Sequence, residues 1–497
     1  MDPFDVFDAA PAIAPQAAAD DLARVPPTRP RLLQPRASTH PHFTASLGVW
    51  PATPPRHSAA ASRERFHALM PRRVDACVRG LRGSASSYAA SCARALRDAS
   101  TALAAGDENG AAASSRVAAE FCSLQLDESN WDSPWWQESY LLALAFLLSG
   151  LLVADATHDG GEGCEAVGRT AVQLFNLAVT MSTSSEGAEG GGEARWQWLG
   201  ELLHAAEAAV AAAHPLCAPP RPVWRMPTEL CAARRPDLKG RRVLEVDHSD
   251  LSCAAFYTDF LQRGVPVLIR GYLHAEEWAA LDYFQDLERL YSDHGARLVP
   301  VNLGSPLVGY KGMVHWPLGK LIERSLLPSI ETEATPPHGA ADEEGACEVA
   351  YMSQHHLLHQ VPSLQQLLAL PQYTVGRELS PANLWLGSRG TVTSLHSDPS
   401  DNLLCQERTV AGFKYFRLYA LDQTPKLYAT TLRSKSKNTF GTSPVRVEAP
   451  SEEYPDFLSA EYEEGLLEPG DMLFIPKSHW HYVRALSTSC SINVWFD

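Results

Sequence analysis

Two hydrophobic periods divide the chain. From Ser62 to His214 the apolar positions recur at helical spacing, in Ala/Leu/Arg-rich segments such as Arg79 to Ala105 and Trp196 to Ala213. Gly/Ser/Glu-rich breaks at Gly106 to Ser115 and Ser182 to Glu193 interrupt them, so residues 62–214 are expected to form an all-α domain, a bundle or an array of helical hairpins. No fixed repeat length accompanies the pattern, and no repeat family is assigned. The most apolar run, Leu141 to Val153, sits between Glu138 and Asp155. It is shorter than the ~20 residues of a membrane span and reads as a buried helix. Residues 1–61, rich in Ala and Pro, follow neither period and are expected to be a disordered tail.

The proline-rich stretch Pro215 to Pro222 opens a linker over 215–240, after which the period shortens. Arg242 to Val246, Pro266 to Arg270 and Arg297 to Val301 read as strands, with helical stretches around Ser252 to Arg263 and Glu276 to Asp293 between them. Beyond an acidic loop, Glu331 to Gly345, short strands follow closely: Glu348–Met352, Asn383–Leu386, Thr391–Leu395, Asn402–Gln406, Phe413–Tyr419, Met472–Ile475, Trp480–Ala485 and Cys490–Trp495. Many short strands at close spacing predict an all-β double-sheet jelly roll, the cupin or double-stranded β-helix, with flanking helices over 241–497.

Composition narrows the partners. The 497 residues carry a formal net charge of -16, which repels nucleic-acid phosphates and favours a basic protein or peptide. Ten cysteines are scattered without a C-x-x-C pair, so they read as reduced intracellular thiols and not as zinc ligands or a disulfide framework. The acidic start, Met1-Asp2-Pro3-Phe4-Asp5, lacks the basic-then-apolar order of a secretory signal. Neither direct nucleic-acid binding nor a membrane partner is expected.

The candidate chemistry lies in Leu395-His396-Ser397-Asp398-Pro399, with His481 standing 82 residues further on. His396 and Asp398 at a strand end can share one cation, and a distant His from a neighbouring strand completes a 2-His-1-carboxylate face with open positions, the set that suits Fe(II). As a local sequence, His-Ser-Asp-Pro is equally a surface turn. His479 and His481 would share a strand face, so periodicity does not choose between them. Lys414 lies in an aromatic-rich strand with Phe413, Tyr415, Phe416 and Tyr419, where a buried ammonium needs an anion, while a lysine at a sheet edge could snorkel to water. His355, His356 and His359 read as a helix surface or site rim, not a second metal site.

Taken in order, Leu384-Trp385-Leu386-Gly387, Gly390 to Pro399, Lys414 to Tyr419, the turn Glu468-Pro469-Gly470-Asp471 and Trp480-His481 resemble the JmjC (Jumonji C) oxygenase family. Within it they resemble the small subgroup described both as lysine demethylases and as arginyl hydroxylases. The likeness runs from about Arg241 to Asp497 and only loosely includes the helical half. It implies an enzyme that binds Fe(II) through His396, Asp398 and His481, the histidine directly after the Trp, and that uses 2-oxoglutarate and dioxygen. It further implies that Lys414, Thr393, Asn402 and Tyr351 hold 2-oxoglutarate and that Gln354 and Trp385 line the substrate site. Read from sequence alone, Thr393 is equally a β-branched strand residue, Asn402 a turn residue, and Tyr351 and Trp385 core aromatics.

The resemblance implies a Lys- or Arg-bearing protein substrate, a histone tail or a ribosomal or chromatin protein, and a location in the nucleus and also in the cytoplasm. N-methyl oxidation ends in demethylation and methylene oxidation in a stable alcohol; the motifs leave both open. A non-catalytic cupin acting as transcriptional regulator or scaffold is the alternative, against which the intact ligand set argues. Two departures stand out: Ser397 is small for its position, and the extra residues Glu407-Arg408-Thr409-Val410-Ala411 predict a bulge ahead of Lys414.

Overall fold

An apolar helix without a polar face can only be central, and the helical half is built around one. In the computed structural model the helices are α1 (Ala59–Leu81), α2 (Ala89–Ala104), α3 (Glu108–Glu128), α4 (Pro134–Asp155), α5 (Gly161–Ser184) and α6 (Gly192–Ala213). α4 touches all five others. Its segment Trp135–Val153 is long and apolar enough to cross a membrane, yet 72% of it is buried inside the bundle. Gly150 permits the close α3–α4 approach, since a Cβ there would lie 2.8 Å from that of Ala112.

The described residues are 59–84, 86–128, 133–155, 161–184, 192–213, 224, 229–230, 234–276, 280–333, 348–406, 412–432 and 440–497. The tail expected over 1–61 (apart from its last three residues), most of the 215–240 linker, the loop from 334 to 345 and the insertion 407–411 lie outside them. The segment Arg79 to Ala105 is two helices, because the Gly83–Ser84 region breaks it. Conversely, the break expected at Gly106 to Ser115 is short, since the Asp107 side chain accepts from the Gly110 amide and caps α3. The seven described cysteines are free thiols.

The strands are β1 (Arg241–Arg242), β2 (Glu245–Asp247), β3 (Val267–Arg270), β4 (Leu298–Ser305), β5 (Gly309–Pro317), β6 (Ala350–His355), β7 (Asn383–Gly387) and β8 (Val392–Ser397). They continue as β9 (Asp401–Gln406), β10 (Lys414–Tyr419), β11 (Thr430–Leu432), β12 (Phe440–Thr442), β13 (Glu463–Leu467), β14 (Met472–Ile475), β15 (Trp480–Ala485) and β16 (Ser489–Phe496). They form a seven-stranded sheet, β1-β13-β10-β15-β8-β12-β11, facing a nine-stranded one, β2-β3-β14-β9-β16-β7-β6-β4-β5. This is the cupin-type double sheet expected. Leu404, Leu473 and Ile475 of one sheet meet Phe416, Leu418 and Val483 of the other and close one end of the space between them. Val299, Val301, Met352, Leu384, Leu386 and Ile492 face the other way, into a core under flanking helices.

Strands β5, β11, β12 and β13 were not among those expected, and β5 shows why. Its first five residues are exposed and include Gly309 and Gly312, so no alternation marks it.

The helical half docks on the outer strands of the larger sheet. α5 packs on β4 and β5, and α6 on β5. The half-buried Arg297 Nη1 lies 3.0 Å from Glu207 of α6, and His315 Nδ1 lies 2.8 Å from Glu165 of α5. The ring of Phe175 stands 6.1 Å from that of His355. This corrects the reading of the His355 group as a helix surface or site rim: His355 and His359 are 1% and 8% exposed. Burial pushes His355 and His359 down to about 3 and His356 to about 4, so all three are neutral imidazoles.

Candidate metal and co-substrate site

β8 and β15 pair antiparallel with His396 directly opposite His481. Opposite residues project to one face, and the two ring centroids lie 4.1 Å apart. Asp398 follows the end of β8, and its carbonyl accepts from the Ser478 amide at 2.8 Å, tying that loop to the start of β15. Its carboxylate oxygens lie 3.7 Å from His396 Nε2 and 3.6 Å from His481 Nε2. One ligand atom from each of the three falls within 4.8 Å of the others, the one such group among the described residues. His479 lies outside it.

The ring orientations are held from behind. His396 Nδ1 is 2.8 Å from the Ser394 carbonyl and His481 Nδ1 is 3.1 Å from the His479 carbonyl. A carbonyl only accepts, so each Nδ1 carries its proton and each Nε2 presents a lone pair to the shared space. The indole of Trp495 donates to Asp398 Oδ2 at 3.0 Å, fixing the carboxylate. Burial pushes His481 down to about 4, with the neighbouring His396 adding to the shift, so the ring is neutral at physiological pH. Two neutral imidazole nitrogens and a carboxylate on one side of an open space fit a divalent iron ion.

That space is a cavity of about 390 Å³, part of it open to solvent, between the two sheets. Tyr351, Trp385, Thr393, Asn402 and Lys414 line it together with the three metal-type residues. Lys414 sits on β10 opposite Ala485 and is 2% exposed. No carboxylate among the described residues pairs with it, and burial alone pushes its ammonium down to about 8. A buried cation facing a cavity is a receptor for an anion. The Tyr351 hydroxyl lies 3.3 Å from Thr393 Oγ1. Asn493 donates to Asn402 Oδ1 at 3.1 Å and accepts from the Trp385 indole at 2.8 Å. This cavity therefore offers one cation and several neutral hydrogen-bonding groups beside the metal-type cluster, which suits a small dicarboxylate. Lys414 pairs in regular register with both neighbours, Leu467 of β13 and Ala485 of β15; the insertion 407–411 lies outside the described residues.

Gln354 is not brought to the cavity. β6 shifts register between Met352 and His355, and Gln354 adopts φ 48° at an exposed position there. The sequence reading missed Asn493 and Trp495. Their signal was present: along β16 Ser489, Ser491, Asn493 and Trp495 alternate with Cys490, Ile492, Val494 and Phe496, so the polar set shares a face.

Residues 253–497 match the family described as Cupin-like domain. The same half of the chain is similar to Lysine-specific demethylase 8 of Danio rerio, with 35% identity over 252 residues, 50% of this chain and 56% of that protein. It is 32% identical over 254 residues to Lysine-specific demethylase JMJ30 of Arabidopsis thaliana, 50% of this chain and 54% of that one. Jumonji C domain-containing protein 5 of Drosophila melanogaster is 30% identical over 254 residues, 50% and 58% of the two chains. The chain spans about half the length of these relatives.

Proposed function

From the premise that residues 253–497 belong to the JmjC group of cupin-like domains, we propose an iron(II)- and 2-oxoglutarate-dependent oxygenase of Lys- or Arg-bearing proteins. The observation that carries this reading is the meeting, in one cavity, of the His396–Asp398–His481 cluster with the buried Lys414, which no carboxylate pairs among the described residues. His396, Asp398 and His481 would hold the iron, and Lys414 the far carboxylate of 2-oxoglutarate, with Thr393, Tyr351 and Asn402 as hydrogen-bonding partners. When bound, the iron would supply oxidation of a substrate C–H bond by dioxygen, one oxygen atom going to the substrate and the other to the succinate formed as 2-oxoglutarate loses carbon dioxide.

The chain's own residues bind and orient. The two carbonyls behind His396 and His481 keep their Nε2 atoms unprotonated, and Trp495 keeps the Asp398 oxygens aimed. Leu404, Ile475 and Val483 line the cavity as an apolar floor that offers water no hydrogen-bonding partner on that side. Trp385 lies on the substrate side. An acidic protein with net charge -16 suits a basic substrate, a histone tail or a ribosomal or chromatin protein, and hence work in the nucleus and the cytoplasm.

Purified chain with Fe(II), 2-oxoglutarate and histone or ribosomal-protein peptides is expected to release succinate. Weighing the peptides then separates hydroxylation, a gain of one oxygen, from demethylation, a loss of one methylene. Absence of succinate release with every peptide, alongside binding of the same peptides, would leave the scaffold reading in place of the oxygenase.

A further inference from the structure

The cavity face of the larger sheet does not stop at the cavity. Across the sheet, Trp385 on β7, Tyr351 on β6, Asn302 on β4 and Met313 on β5 follow one another: Asn302 pairs with both Tyr351 and Met313. Directly opposed residues share a face, so this row continues the cavity wall outward. Asn302 donates to Ser353 Oγ at 2.9 Å within the same row. Beyond it, Tyr310 pairs with Gly304, which offers no side chain to cover it. Tyr310 and Met313 are 61% and 40% exposed, and Leu307 and Val308 at the hairpin tip are each 44% exposed.

The helical half bounds this surface on one side. α5 seats on the far end of β5, where Glu165 takes the His315 ring and amide, and Gly168 lets the helix come close. A Cβ at position 168 would lie 3.1 Å from that of His315. The result is a shelf, walled by α5 at one end, that runs from the cavity mouth over β6 and β4 to an exposed apolar edge on β5.

Resting on the oxygenase reading above, we propose that this shelf docks the peptide flank of the substrate, and that Tyr310 and Met313 select an apolar residue at a set distance from the oxidised Lys or Arg. The occupant follows from continuity: a chain whose Lys or Arg reaches into the cavity must leave across one of its walls, and this wall runs on to four exposed apolar side chains, Leu307, Val308, Tyr310 and Met313. From β7 to β5 is three strand spacings, about 14 Å, which an extended peptide covers in roughly four residues. Specificity is then a matter of spacing, not of charge alone.

The test separates docking from chemistry. A synthetic peptide library with a fixed central Arg or Lys and randomised flanks is selected for binding to the immobilised full-length chain, with no turnover required. Apolar residues are expected to be enriched about four positions from the fixed residue, on one side. In the Tyr310→Ser/Met313→Ser double variant this enrichment should disappear and capture of the selected peptides fall roughly ten-fold, the scale of losing one well-buried apolar contact. The Michaelis constant for 2-oxoglutarate in peptide-free turnover should stay unchanged. Equal enrichment by the double variant, or none by the wild type, would overturn the proposal. So would a wild-type dimer that the double variant abolishes in sedimentation, since the edge would then be a self-association surface. Selected peptides that bind with the expected spacing but are never oxidised would count against the oxygenase reading and leave the docking shelf intact.

Discussion

Replacing Lys414 by Met should weaken co-substrate binding and strengthen the empty fold, a pairing that few surface lysines could produce. The ammonium is almost wholly buried and pushed from its ordinary 10.5 down to about 8. At about 1.4 kcal/mol per unit, holding it charged below pH 8 costs the empty protein about 3 kcal/mol. Met nearly fills the same volume without the charge. For a domain of this size the melting temperature should then rise by roughly 5–10 °C. The pH dependence follows from the direction of the shift. Between pH 8 and 10.5 the unfolded chain holds a proton at Lys414 that the folded chain has released, so wild-type stability rises with pH across that window while the variant's does not. The gap between the two should close there.

Binding should move the opposite way. Removing a charge-assisted hydrogen bond to a carboxylate costs about 1.5–3 kcal/mol, which is roughly 10- to 150-fold in the Michaelis constant for 2-oxoglutarate. Differential scanning calorimetry of the metal-loaded, co-substrate-free proteins and succinate release against 2-oxoglutarate concentration give both numbers. An unchanged Michaelis constant together with a lower melting temperature would refute the reasoning, because Lys414 would then be satisfied by the protein and not waiting for an anion.

The other predictions concern the metal-type cluster. Asp398→Ala should abolish turnover and the thermal shift on adding Mn(II) while the circular dichroism of the fold is retained, since the jelly-roll core lies elsewhere; retained Mn(II) response would sink the ligand assignment. His481→Ala should lose metal and activity together, whereas His479→Ala should keep both, and metal stoichiometry read with succinate release decides between them. Trp495→Phe keeps the ring but removes the donor to Asp398, so Mn(II) affinity by titration calorimetry should fall roughly 10- to 100-fold with 2-oxoglutarate affinity less affected. An unaltered Mn(II) affinity would mean that the indole only fills space.

The site was legible where its residues were close in sequence or fixed by a strand period. His396 and Asp398 announce themselves as a pair, and Lys414 as a cation among aromatics. Asn493 and Trp495 were as legible, by alternation, but the last strand's apolar members dominate the eye. The His355 group failed for a different reason. His355 packs against Phe175 of α5, far away in the chain, and no local pattern carries such a long-range contact. β5 failed because its first five residues, Gly309 to Met313, are all exposed and offer no hydrophobic period to read. The helical half was legible as helices and opaque in purpose. Only the structure shows that it docks on β4 and β5, the outer strands of the sheet that carries the cavity wall.

The cluster also explains why a Trp precedes His481. His396 and His481 meet only while β8 and β15 keep their register, because a slip of one residue would turn the histidine to the other face. Trp480 pairs with Ser397 and points to that other face, where its indole donates to Thr424 at 2.9 Å. Its ring packs on Gly441, where a Cβ would come within 2.6 Å of it, and the Gly441 amide donates to Ser397 Oγ at 3.2 Å. The wide ring thus has one seat, made by a glycine of β12 that is itself tied to β8. A metal-type residue on one face is aligned by an aromatic anchor on the other, and the small Ser397 is what leaves β12 room to approach. The departure seen at Ser397 in the sequence is therefore part of the packing that holds the two histidines together.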